Sequence, residues 1–479
     1  MLVDGSGATV VADYAISSTE VTRSTPAGFG GARYSSVASL LLISGSGANR
    51  ITVNSTSPNT TPSFATDAGD DTIELADGVS LNGGTIDGGG DNDTLSYAAF
   101  TTGVRVNLGM TSNVLGGVLD STQRVPLGNF VSIGNSVANL FYDPATNTFD
   151  LNVGVTGLAG LQVTSIMMRR GAVGESGPLV VLLTNLGTRT DTPGGFDYNV
   201  TGVSLPPLQE AALLGGLIYL EFGIAPENGV IRTNLQSTGN VPLITGWASG
   251  TGGIASIENV SGGSGADSLV GSFALNTLSG NAGDDTLLGG PGNDSFNGDG
   301  GADAITYNSG DASDVIDGGS DGDLLQVNGS LSGPDVMQVS ANGARVNVAN
   351  ASLPSYSLDV GTIETLVLAP ASGDDTLILG SLIGVTDLTT VQLSALTEND
   401  TFNVTPAPTG PTRNIRVNGG AQSIGDTMNV NLTGVSNPVL SLDGSGNGTF
   451  SASSHQSISV TSIESAPGFS PQIFRDSFE

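Results

Sequence analysis

Between Gly262 and Gln326 the chain repeats itself every nine residues, and this period constrains the fold more than any other feature. Cut into nonapeptides, the stretch reads GGSGADSLV, GSFALNTLS, GNAGDDTLL, GGPGNDSFN and GDGGADAIT. After Tyr307-Asn308 it continues as SGDASDVID and GGSDGDLLQ. The sixth position holds Asp267, Asn276, Asp285, Asp294, Asp303, Asp314 and Asp323. The eighth holds Leu269, Leu278, Leu287, Phe296, Ile305, Ile316 and Leu325. The first is Gly in every block except the one that opens on Ser309. A flexible Gly/Asp-rich linker has no reason to keep an apolar residue in register. Each block therefore reads as one tight turn, where glycine permits positive φ, followed by one short strand. The apolar side chain points inward, and the carboxylate lies in the turn and meets its equivalent two blocks on. The expected pairs are Asp267/Asp285, Asp285/Asp303 and Asp303/Asp323 on one edge, with Asn276/Asp294 and Asp294/Asp314 on the other.

Such stacking has an electrostatic cost. Adjacent strands lie about 4.8 Å apart, where two carboxylates repel by roughly 3–4 kcal/mol at an effective dielectric near 20. A hard divalent cation removes that repulsion and cross-links successive turns. Calcium suits sites made of carboxylate and carbonyl oxygens. The nonapeptides resemble the RTX, or hemolysin-type, calcium-binding repeat G-G-x-G-x-D-x-U-x. The resemblance implies a parallel β-roll in which two nonapeptides make one full coil. Asp267, Asp285, Asp294, Asp303, Asp314 and Asp323 are the candidate Ca2+ ligands, and the blocks with Asn276 and with Ser309 are weaker copies.

Scattered copies lie outside the run. TDAGDDTIE (66–74) and GGGDNDTLS (88–96) place Asp71 and Asp93 about two blocks apart, and both join the candidate metal ligands. Asp375, Asp400 and Asp426 repeat the Asp-Thr-apolar ending, and Ser44 to Thr52 is a copy with Asn49 in the carboxylate position. Such isolated copies read equally as turn-plus-strand units of a metal-free solenoid. Short Val/Ile/Leu/Thr strands alternate with Gly/Asn/Asp/Ser turns on both sides, as in Ala344 to Val348 and Asn429 to Leu432. Residues 34–53 and 360–379 look like one unit used twice, and Ile463-Glu464-Ser465 opens a third copy. These flanks resemble repeat modules of large secreted bacterial proteins.

The resemblance to RTX-type proteins implies that the strand from Thr101 to Gly109 leads straight to a segment like IASIENVSGG (254–263), but here a long insertion intervenes. It is poorer in Asp and richer in long strands. Leu140 to Val155 reads as a hairpin, and Pro206-Pro207 through Leu214 as one short helix. Four stretches resemble a CHRD (chordin-like) domain: LDSTQRVP (119–126), LFYDPATNTFDLNVGVTGL (140–158), IMMRRGAVGESGPLVVLL (166–183) and LLGGLIYLEFGIAPENGVIRTNL (213–235). The resemblance implies a β-sandwich-like module. The family's histidines fall on Met167, Arg169 and Gly223, so it implies no metal centre here. Met167 and Met168 read as core or edge residues, and Arg169-Arg170 as a solvated pair.

Composition narrows the function. The chain has 45 Asp+Glu against 13 Lys+Arg, all of them Arg, and a net charge of −32. A surface this acidic does not coat a phosphate backbone, so no nucleic-acid partner is expected. With no Cys, disulfides and thiolate chemistry are excluded, and with no Lys so is a Walker A loop. A single His rules out H-E-x-x-H; His455 reads as exposed in a polar strand or turn. Gly318-Gly319-Ser320-Asp321-Gly322 matches G-x-S-x-G, but it sits inside a repeat without the strand and helix that motif needs. No apolar run is long enough for a spanning helix. The opening residues carry no signal-peptide pattern and read as the middle of a β unit, so the natural start is expected upstream unless export uses another route.

The expectation is an all-β parallel β-roll/β-solenoid with an inserted β-sandwich-like domain. Its segments are solenoid repeats (1–64), RTX-like repeats and strand (65–111), the CHRD-like insert (112–238) and the RTX β-roll (239–330). A second solenoid segment (331–466) and a tail that resembles sorting tails of secreted Gram-negative proteins (467–479) follow. The expected role is a non-enzymatic, extracellular or cell-surface calcium-binding protein, structural or adhesive, with cell-surface or matrix components as partners. The alternatives are the non-catalytic repeat region of a larger secreted enzyme or toxin, and a ligand-binding module built on the insert.

Overall fold

The computed structural model describes the chain except residues 26–30, 113–114, 119–136, 145, 157–161, 174–175, 207, 226–228, 238–239, 243–245, 331–332, 396–397, 409–412, 421–424 and 468–479. The proposed tail signal and the LDSTQRVP stretch lie outside the described residues. Among those described, nearly everything is strand and turn, and the one helix is Glu210–Leu214. The chain divides into two compact units, residues 1–111, 207–211 and 240–303 in one and 112–206, 212–239 and 304–479 in the other.

The first unit is a stack of parallel coils. Asp13–Ile16, Arg50–Val53, Thr72–Leu75, Thr94–Ser96, Asn259–Ser261, Thr277–Ala282 and Ser295–Gly300 pair in that order, all parallel. Their register aligns Ile51, Ile73, Leu95, Val260, Leu278 and Phe296 in one fully buried stripe, as a period of two with one buried face requires. A second run places Arg105–Asn107, Ser268–Val270 and Thr286–Leu288 side by side, which buries Val106, Leu269 and Leu287 together. The long insertion leaves the stack unbroken: Leu95 pairs directly with Val260, and Val106 with Leu269.

The second unit contains its own parallel run: Ala304–Asn308, Leu324–Asn328, Thr365–Ala369, Thr390–Ser394, Asn414–Asn418 and Ile458–Thr461. A parallel partner run joins Val336–Asn342, Thr376–Leu379, Thr401–Val404 and Thr427–Val430. The solenoid is not uniform. Val336–Asn342, Arg345–Asn350 and Tyr356–Gly361 form an antiparallel meander, so Ala344 to Val348 belongs to a hairpin rather than a coil. Arg345 holds it by pairing with Asp317 at 2.6 Å and Asp359 at 3.0 Å.

The insert forms two antiparallel sheets within the second unit. One contains the expected hairpin, Val137–Asp143 against Thr148–Val155, with Ala138, Leu140, Tyr142, Phe149, Leu151 and Val153 buried on one face. The other joins Leu179–Leu182, Gln162–Arg170, Ile218–Ala225 and Gly229–Asn234. The helix starts only at Glu210, because Leu208 has φ 65° and cannot continue a right-handed turn. The insert closes over the outer face of the neighbouring coils. Gln326 accepts a hydrogen bond from Val173 N–H at 3.0 Å, and Gln392 donates to the Val173 carbonyl at 2.6 Å. Both glutamines point away from the solenoid core and are nonetheless buried.

Candidate metal centre

The sixth-position side chains form ladders, with the tight turns holding each carboxylate under the backbone of the neighbouring coil. Asp267 Oδ1 accepts Val104 N–H at 2.7 Å, Asp285 Oδ1 accepts Asp267 N–H at 2.7 Å, and Asp303 Oδ1 accepts Asp285 N–H at 2.8 Å. On the other edge Asp294 Oδ1 accepts Asn276 N–H at 2.8 Å. Asp71 and Asp93 are joined the same way: Asp93 Oδ1 accepts Asp71 N–H at 2.8 Å, and Asp71 Oδ1 accepts Asn49 N–H. These two lie in adjacent coils 22 residues apart, four more than two nonapeptides span. Asn49 continues the ladder, accepting Ala12 N–H at 3.0 Å. Asp314 and Asp323 are buried in the second unit, where Asp314 accepts Asp359 N–H through its backbone carbonyl.

The second unit carries a ladder that the nonapeptide spacing did not reveal. Asp335 N–H donates to Asp375 Oδ1 at 2.7 Å, Asp375 N–H to Asp400 at 2.8 Å and Asp400 N–H to Asp426 at 2.7 Å. Asp335 escaped detection because the meander separates it from Asp375 by 40 residues. The only sequence signal was the shared Asp-x-apolar ending.

The repeat glycines clear space for these carboxylates. A Cβ on Gly262, Gly280 or Gly289 would come within 3.0 Å of Oδ2 of Asp267, Asp285 or Asp294 respectively. It would also lie 2.7 Å from the Gly280 carbonyl oxygen at Gly262, and 2.8 Å from the Gly298 carbonyl at Gly280. Carboxylate and carbonyl oxygens thus converge over Gly262 and Gly280, while the Asp294 carboxylate meets the Phe296 ring over Gly289. Oδ2 of Asp93, Asp285, Asp400 and Asp426 is sealed from solvent and accepts no hydrogen bond.

Burial is the main force on these acids. It pushes Asp285 up to about 8, with the charges of Asp267 and Asp303 adding to it, against the hydrogen bond from Asp267 N–H. Asp93 rises to about 8 for the same reason, helped by Asp71 and Glu258. Burial likewise raises Asp267 to about 6 and Asp294 to about 7. Carboxylates kept ionised here need a compensating cation. Among the described residues no three His, Cys, Asp or Glu side chains gather at one point, so the donor set must combine carboxylates with backbone carbonyls. Such an all-oxygen set fits calcium. Asp267, Asp285, Asp294, Asp303 and Asp93 would hold it.

Other motifs acquire ordinary roles. His455 is half-buried rather than exposed, with Nδ1 2.8 Å from Ser454 Oγ. Met168 is buried and Met167 half-buried. Arg169 is not part of a solvated pair: its Nε meets Glu221 at 2.8 Å.

No curated protein matches the chain. The family model of the RTX calcium-binding nonapeptide repeat matches it four times, at residues 85–99, 253–287, 261–296 and 274–305. These stretches include the rungs at Asp93, Asp267, Asp285, Asp294 and Asp303, so those rungs lie in RTX calcium-binding nonapeptide repeats, while Asn49 and Asp71 lie outside the matched stretches.

Proposed function

We propose that this protein is an extracellular or cell-surface structural or adhesive protein whose nonapeptide coils become ordered on binding calcium outside the cell. The observation that carries this reading is the ladder Asp267–Asp285–Asp303, with its buried carboxylates set beside carbonyl oxygens over glycine. The chain's own part is to hold one carboxylate oxygen by a backbone N–H and leave the other aimed at the turn. Bound calcium supplies the positive charge and links one coil to the next, so its binding free energy becomes folding free energy. Calcium is scarce in cytosol and plentiful outside, so folding is tied to export. Sites of extracellular modules bind at roughly 10⁻⁴–10⁻³ M, and that range is expected here.

The ladders and turns account for many of the acids, which supports a non-catalytic reading. The hairpin of Val137–Asp143 and Thr148–Val155, which falls within the stretch that carries the resemblance, supports a CHRD-like reading of the insert, whose docking on the coils suits a spacer or binding module. Circular dichroism during a calcium titration, with magnesium as control, tests the central claim. Asp285→Ala with Asp294→Ala should require more calcium for the same β signal. An unchanged spectrum from EGTA to excess calcium would remove the proposal.

A further inference from the structure

Three short segments outside the nonapeptide register share a sequence and a geometry. They are Ser256-Ile257-Glu258, Thr362-Ile363-Glu364 and Ser462-Ile463-Glu464. In each, the first residue has positive φ, at 49°, 47° and 53°. That conformation is unusual for serine and more so for a β-branched threonine. The isoleucine is buried in all three. The glutamate then does what a sixth-position aspartate does. Its carboxylate accepts the backbone N–H of an aspartate in the adjacent coil: Asp93 to Glu258 at 2.9 Å, Asp323 to Glu364 at 2.8 Å and Asp426 to Glu464 at 3.0 Å.

The first residue supplies the other half of the arrangement. In the nonapeptides, the carbonyl of a first-position glycine lies beside the Asp Oδ2 of the neighbouring coil. Here the carbonyl oxygens of Ser256, Thr362 and Ser462 take that place. A Cβ on Gly88, Gly318 or Gly419 would come within 3.0 Å of both that carbonyl and the Oδ2 of Asp93, Asp323 or Asp426. A repeat sets carbonyl and carboxylate five positions apart, at Gly280 and Asp285. In these segments they are two positions apart, and the extra methylene of glutamate restores the reach. Oδ2 of Asp93 and of Asp426 points into this cradle, is fully buried and accepts no hydrogen bond.

We propose that each Ser/Thr-Ile-Glu segment completes a divalent-cation site with the aspartate of the adjoining coil: Asp93 with Ser256 and Glu258, Asp323 with Thr362 and Glu364, and Asp426 with Ser462 and Glu464. The inference extends the calcium reading of the nonapeptides to places that lack their spacing. The second and third sites lie wholly outside the stretches matched by the repeat family. Asp93 and Asp426 are the last aspartates of their ladders, so the first and third segments each follow a run of aspartate rungs.

The test is calcium bound per full-length chain, measured by equilibrium dialysis with radioactive calcium at a free concentration that saturates the parent. The variant combines Glu258→Gln, Glu364→Gln and Glu464→Gln. Glutamine keeps an oxygen to accept the aspartate N–H and removes only the charge. The variant should bind three ions fewer, whereas Asp285→Asn with Asp294→Asn should lose ions from the nonapeptides alone. Equal binding by the triple variant and the parent overturns the inference without touching the nonapeptide reading; no calcium binding by the parent overturns both. Should the triple variant misfold, crystals of the parent soaked in terbium decide. An anomalous peak between Asp426 Oδ2 and the Ser462 carbonyl supports the site, and peaks confined to the nonapeptide turns overturn it.

Discussion

The Asp267–Asp285–Asp303 ladder and the Asp335–Asp375–Asp400–Asp426 ladder share one hydrogen bond and differ in what surrounds it. The first advances 18 residues per rung between strands as short as Ser268–Val270 and Thr286–Leu288. The second advances 25 or 26 residues over its last two steps, in coils whose strands include Thr365–Ala369 and Thr390–Ser394. Those longer strands bury Leu366, Leu368, Val391 and Leu393 on one face and Val367 and Gln392 on the other. The first ladder has glycine five residues before its carboxylates, at Gly262 and Gly280, while Pro370 and Ala395 hold that place before Asp375 and Asp400; glycine returns beside the end rungs of the second ladder, at Gly329 against Asp335 and Gly419 against Asp426. The contrast teaches that the rung is a general device of these coils, and it predicts that dependence on a cation grows as the apolar core thins. Where strands are long, burial of aliphatic surface holds the coil. Where they are three residues long, neutralising the carboxylates must do so.

Removing calcium is the strongest way to break this comparison. In EGTA, amide exchange should lose protection across 262–303 while Leu366, Val391 and Ile415 stay protected; uniform protection in both regions would erase the distinction. A second large effect comes from pH. Folded Asp285 and Asp400 are both raised from 3.8 to about 8, so between those values the folded chain holds protons that the unfolded chain has released. Calcium-free stability should therefore be full near pH ~4 and fall as pH rises through 8. Calcium affinity should move the opposite way, because the carboxylates must be deprotonated to bind it. Thermal melts in EGTA at several pH values check the sign, and a melting temperature that climbs from pH 5 to pH 8 would contradict it.

Smaller effects sharpen the contrast. Gly280→Ala places a methyl against Asp285 Oδ2 and the Gly298 carbonyl, and should cost about 3 kcal/mol in denaturant unfolding. Ala395→Gly in the second unit removes one methyl and should cost about 1 kcal/mol. Gln392→Leu strands the Val173 carbonyl beneath the insert and should cost about 1–3 kcal/mol without altering calcium binding.

Much of the first unit was legible in the sequence because its contacts are local in period. A carboxylate every nine residues fixed which aspartates stack, and the apolar eighth position fixed which side chains fill the core. Asp71 and Asp93 were recognisable because each closes a nonapeptide-like copy with an Asp-Thr-apolar ending, although 22 residues rather than 18 separate them. Asp335 and the three Ser/Thr-Ile-Glu segments were not, since their partners lie 40, 165, 41 and 38 residues away and obey no fixed period. Only two of the three glutamate segments were visible as copies of a longer unit, and nothing in them marked the glutamate as a rung.

By itself, then, the sequence determined the parallel coils, the turn acids and the buried stripe, because period and polarity are properties of neighbouring residues. Only the tertiary structure decided where the meander interrupts the second ladder, that glutamates close three rungs, and that the insert seals a solenoid face through Gln326 and Gln392. Each of these depends on chain distant in sequence returning to one point. Hydrogen bonding of buried polar groups enforces that return, and the order of residues along the chain does not display it.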